Sequence, residues 1–141
     1  MAKRLSFVCA GLLCLVLPMP AASQLVFDAS PSVRVQSDDS ETSRQVLPKD
    51  ERMEYRVTII HRDGRYYWAS RENVELAYHG SGAGHFFISP GGAGYVKVFD
   101  THFLPADARG DGPRFWYMEH LVMPGPFGTI TYWGTADSFD P

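Results

Sequence analysis

Apolar positions change rhythm along this chain. From Leu5 to Leu17 they run almost unbroken behind Lys3 and Arg4, and the run stops at Pro18 and Pro20 before the small residues Ala21, Ala22 and Ser23. From Gln24 to Asp50 Ser, Asp, Arg and Gln dominate and apolar residues come in ones and twos, with Val33 and Val35 alternating. From Glu51 onward short runs rich in Tyr, Phe, Trp, Val and Ile are broken by Gly or Pro about every eight to twelve residues.

Each rhythm predicts a different kind of segment. A basic start, an apolar run and a small-residue end make residues 1–23 a secretory signal peptide, because the run falls short of the roughly 20 apolar residues needed to cross a bilayer. Residues 24–50 read as a flexible polar lead-in, within which Val33 and Val35 can supply one short strand. Residues 51–141 read as an all-β domain, a small antiparallel sandwich or partly open barrel of about seven short strands.

The clearest element is a hairpin. Strand Glu54–His61 meets Arg65–Arg71 across Asp63-Gly64, a pair that supplies the positive φ angles of a type I′ turn. That register sets His61 opposite Tyr66, Ile59 opposite Trp68 and Val57 opposite Ser70 on an apolar face, with Ile60 opposite Tyr67 on the other. Further strands are expected at Val74–His79, His85–Ser89, Tyr95–Asp100, Arg114–Met123 and Thr129–Thr135, and the longest connection is the loop Thr101–Pro113. In Arg114–Met123 both alternating sets are largely apolar, which predicts burial on both faces.

Composition narrows the functional classes. Both cysteines, Cys9 and Cys14, lie in the expected leader, so the mature chain is cysteine-free and has no disulfide or thiol chemistry. The leader also carries two of the 13 basic residues, so 11 remain against 16 acidic ones and the mature charge is about −5. The remaining arginines are scattered, which argues against nucleic acid and against a polybasic membrane contact. After cleavage no integral membrane segment is expected, and the protein is placed in the periplasm or outside the cell.

No motif specifies a reaction or a cofactor. His79 and His85 bracket the glycine-rich segment Gly80–Gly84, and a hairpin there would let the two imidazoles face each other; Asp100 and His102 share a face if their strand persists. These four are the candidate metal ligands of a metal-dependent or acid–base hydrolase. Ser81 with a neighbouring histidine and Asp100 is a candidate triad that only geometry can identify. The glycine segment leads into a strand, His85–Ile88, and so lacks the helix N-terminus of a phosphate cradle. Glu119 and His120 must point to opposite faces, and Glu119 is expected to meet an arginine, a tyrosine hydroxyl or a backbone group; buried without a partner it would titrate high.

Aromatic tandems supply the remaining lead. Tyr66-Tyr67-Trp68, Phe115-Trp116-Tyr117 and Tyr132-Trp133 aim rings at both faces of a sheet. Under a second sheet, Tyr67, Trp116 and Trp133 are core; on an open face they form a platform for a protein or a carbohydrate. The resulting expectation is a non-catalytic binding module that uses Tyr67, Trp116, Trp133, His102 and Arg109, the last two from the 101–113 loop. A small barrel carrying an apolar ligand among its inward rings is the third reading.

Overall fold

A computed structural model of the chain describes residues 22–82, 84–125 and 128–141. The signal peptide expected at residues 1–23 therefore lies almost wholly outside the described residues. Within them the protein is all-β, with ten antiparallel strands in one curled sheet that forms a half-barrel. The strands are β1 (Gln24–Ala29), β2 (Pro31–Ser37), β3 (Thr42–Val46), β4 (Val57–Arg62), β5 (Arg65–Trp68), β6 (Val74–Ser81), β7 (Gly84–Ile88), β8 (Gly94–Asp100), β9 (Phe115–Val122) and β10 (Thr129–Ala136). Their order across the sheet is β1-β4-β5-β6-β7-β8-β9-β10-β2-β3.

That order accounts for the curl. β1 and β2 are separated by Ser30 alone, yet β1 pairs with β4 and β2 with β10, which sets β1 and β2 eight places apart in the sheet order. A connection of one residue cannot span a flat sheet of that width, so the sheet bends until β1 approaches β2 and β10, with β3 lying beyond them. Phe139 completes the approach by bridging to Phe27, and the Asp140 N–H donates to the Val26 carbonyl at 3.0 Å.

Residues 24–50 are thus not the flexible lead-in their polarity suggests. They contribute three strands, and Leu47 just after them is fully buried. Their serines and charges are tolerated because a strand with one face to solvent needs only half of its side chains inside, and β3, last in the sheet, is exposed throughout. These three strands account for the excess over the expected seven.

The first hairpin folds in the register its turn dictates. Ile59 pairs with Trp68, Ile60 with Tyr67 and His61 with Tyr66, and Asp63 and Gly64 have φ values of 53° and 75°. Ile59 and Trp68 enter the core with Val57, Phe27, Phe87, Val96, Val98, Phe115 and Tyr117. Each large side chain fully buried there contributes roughly 1.5–3 kcal/mol. Gly134 makes room for one of them, since a Cβ at that position would stand 2.6 Å from Cε1 of the Tyr117 ring.

β9 departs from the expectation of burial on both faces. Phe115, Tyr117 and Glu119 are buried, whereas Trp116 and Val122 are 45% and 48% exposed. Among the described residues no second layer covers the outer surface of the half-barrel, so the outward apolar residues stay on the surface.

Candidate functional site

Strand register places the outward residues in straight rows across the sheet. Phe86 pairs with Lys97, Lys97 with Met118, Met118 with Trp133, Trp133 with Val33 and Val33 with Val46, one row over β7, β8, β9, β10, β2 and β3. Beside it Phe99 pairs with Trp116 and Trp116 with Thr135. Trp133 is 41% exposed and Val46 60%. Lys97 lies between two rings, its Nζ 4.6 Å from the Phe86 centroid and 4.2 Å from that of Phe99.

The charge on this surface has one sign. Outward positions on those six strands hold the cations Lys97 and Arg44 and not one Asp or Glu, although the chain has 16 acidic residues. His120 Nδ1 bonds Thr131 Oγ1 at 2.9 Å, and its ring stacks on Tyr95. The 101–113 loop that follows β8 exposes Phe103 and Leu104.

Trp116 and Trp133 are brought together; the other expected binding residues are not. Tyr67 lies on β5 under the Arg62 guanidinium, four strands from Trp116. Arg109 ends a single helical turn, α1 (Ala106–Arg109), and its Nε donates to the Leu104 carbonyl at 2.8 Å, so it shapes the loop. His102 is exposed in the 3-10 turn Thr101–Phe103.

The expected metal ligands separate. β6 and β7 do form a hairpin, but His79 pairs with Phe86 and His85 with Gly80, which puts the two imidazoles on opposite faces. β8 ends at Asp100, so Asp100 and His102 share no strand face. The Asp100 carboxylate instead accepts from Arg114 Nη2 at 2.8 Å and from the His102 backbone N–H at 2.9 Å. Arg114 foremost, and then that N–H, hold its carboxyl below the ordinary range against its burial. Ser81, His85 and Asp100 form no triad, because Ser81 shares the outer face with His79 and Asp100 is engaged by Arg114. Among the described residues no three His, Asp or Glu side chains converge, and no pocket opens.

Under the platform lies a buried acid. Glu119 pairs with Val96 on one side and Tyr132 on the other, facing inward with no exposed surface. Its Oε2 accepts from Arg71 Nη2 at 2.9 Å, as expected of a carboxylate on an apolar face. Among the described residues Oε1 has no hydrogen-bond partner, and neither has the Trp68 Nε1–H or the Tyr117 hydroxyl. Trp68 lies close enough to favour the charged carboxylate while short of hydrogen-bond geometry. Burial outweighs both neighbours and pushes Glu119 up to about 7. The same desolvation raises Tyr117.

A second polar group closes the opposite part of the inner face. The Tyr78 hydroxyl and His85 Nδ1 are 2.9 Å apart, and His85 lies edge-on to Phe139, with ring centroids 4.8 Å apart. Burial lowers the His85 pKa, partly opposed by Asp100.

Most of the outer row carries little signal in the sequence. Val33, Val46 and Arg44 lie in the supposed lead-in, and Lys97 and Met118 belong to no motif; only their period-2 spacing opposite Trp133 marks them. No protein family, curated relative or solved structure matches this chain.

Proposed function

We propose that this protein is a non-catalytic binding module of the periplasm or cell exterior that recognises its partner with the outer face of β7–β10, β2 and β3. The observation carrying this reading is the uncovered row from Phe86 to Val46, with the exposed indoles of Trp116 and Trp133 and no carboxylate. Contiguous apolar surface rimmed by polar groups is costly to leave in water, and its usual role is recognition. Exposed tryptophans beside cations suit a partner that brings both apolar and acidic groups.

Two features support export and a non-catalytic role. The leader pattern at residues 1–23 is that of a secreted chain, and β1 begins at Gln24, so cleavage after Ser23 removes no strand residue. The inward acid Glu119 is sealed from solvent, which leaves it no substrate to meet.

The test is a comparison of extracts from the exported compartment passed over immobilised wild-type protein and over the Trp116→Ala/Trp133→Ala variant. Retention of one defined component by wild type, weakened at least tenfold in the variant while its melting curve is unchanged, is the expected result. Equal retention by both removes the outer face from recognition.

A further inference from the structure

The two free sides of this sheet are treated differently. β1 is covered on its open side by the Phe139 bridge and by the Asp140 N–H bonded to the Val26 carbonyl. β3 is last in the sheet order, pairs with β2 alone among the described residues, and is exposed at all five positions. Open strand edges invite further pairing, and proteins usually blunt them with proline, a bulge or several charges. β3 has no proline, pairs with β2 in unbroken register, and carries Arg44 as its single charge.

The register identifies which groups β3 offers. Antiparallel partners alternate between bonded and unbonded pairs. The Leu47 N–H donates to the Ser32 carbonyl at 2.9 Å, so Leu47 belongs to the bonded set. Counting back by twos, Gln45 and Ser43 turn their main chain toward β2. Thr42, Arg44 and Val46 therefore turn their N–H and C=O groups to the open edge, and the same three residues send their side chains to the outer face, where Val46 adjoins Val33 and the Trp133 row.

We infer that the open edge of β3 is a docking site for an extended polypeptide strand that carries an acidic side chain beside Arg44 and an apolar one beside Val46. An added strand lies about 4.8 Å from β3, and its alternate side chains join the outer face in register with Thr42, Arg44 and Val46. Arg44 forms no ion pair among the described residues, so its charge is free to select a carboxylate. The nearby Asp38 carboxylate is occupied by the Ser40 hydroxyl and the backbone N–H groups of Ser40 and Glu41. A second copy of this chain is a poor occupant, because two-fold pairing centred on β3 sets Arg44 against Arg44. The inference rests on the reading of the outer face as the recognition surface and adds the partner's chemistry.

Random dodecapeptides displayed against the purified protein test it. Selected peptides are measured for affinity to wild type, Arg44→Pro, Arg44→Glu and Trp133→Ala. Arg44→Pro removes one edge donor and no bond to β2, and Arg44→Glu keeps the donor and reverses the charge. The expected result is enrichment of peptides with an acidic residue two positions from an apolar one, at least tenfold weaker on both Arg44 variants, with slowed amide exchange at Thr42, Arg44 and Val46. No enrichment, peptides without an acidic residue, or equal binding to both Arg44 variants and wild type overturns the edge site. Peptides weakened by Trp133→Ala but indifferent to both Arg44 variants overturn it while leaving the outer face as the recognition surface. Dependence on Arg44 with indifference to Trp133→Ala upholds the edge site and shifts recognition from the indoles to β3.

Discussion

Within β9 and β10, residues one position apart do different jobs. Inward, Phe115, Tyr117, Glu119 and Tyr132 are buried, and Gly134 is small because the Tyr117 ring presses on it. Outward, Trp116, Met118, His120 and Trp133 meet no second layer among the described residues. Both sets are rich in aromatics, so hydrophobicity alone does not tell core from surface here. What distinguishes them is the company they keep: the inner set packs into the core of the curled sheet, while the outer set is bordered by hydroxyls and cations. The inner face holds the fold, and the outer face is the one the proposed binding role draws on.

The largest effect expected from this contrast is at Trp68. It is fully buried beside Glu119, and Trp68→Ala should cost about 3–5 kcal/mol in denaturant unfolding. A loss below about 1 kcal/mol would mean that the inner face is not the core.

Next comes Glu119. Its folded pKa of about 7 lies above the ordinary value of 4.5, so between these pH values the folded state binds the proton more tightly than the unfolded one. The Glu119 contribution to stability then falls as pH rises from about 4.5 to 7 and levels off above that, a loss on the order of 3 kcal/mol. His85, whose pKa burial lowers, acts with the opposite sign and loses stability as pH falls below its ordinary value of 6.5. Glu119→Gln separates the two, since urea titrations across this range should lose the Glu119 slope and retain the opposite His85 trend. An unchanged slope would show that Glu119 is not the group responsible.

A smaller cost is expected at Gly134. The added methyl of Gly134→Ala meets the Tyr117 ring and stands 3.0 Å from the Ser30 carbonyl, which predicts about 1–3 kcal/mol of destabilisation. A thermal melt matching wild type would show that the ring moves aside freely. Smallest of all, Trp133→Ala should change stability by less than about 1 kcal/mol while reducing partner binding. A larger stability loss would move Trp133 into the core set.

How much of this is legible in the chain follows the physics of strands. The Asp63-Gly64 turn encodes its own register, and period-2 alternation by itself sends Glu119 and His120 to opposite faces. The pairing of β2 with β10 is not legible, because it depends on contacts about a hundred residues apart that leave no local mark. For that reason Val33, Arg44 and Val46 read as lead-in. The histidine pair fails on a parity of one, since nothing local fixes the register of the glycine-rich hairpin.

Fluorescence quenching tests the central contrast most directly, with iodide and caesium compared on wild type and on Trp116→Phe/Trp133→Phe, which retains Trp68 alone of the three tryptophans. An uncovered outer face bearing cations and no carboxylate predicts strong quenching of wild type by iodide, weaker quenching by caesium, and little by either ion in the variant. Equal quenching by the two ions, or a variant as quenchable as wild type, would contradict the account.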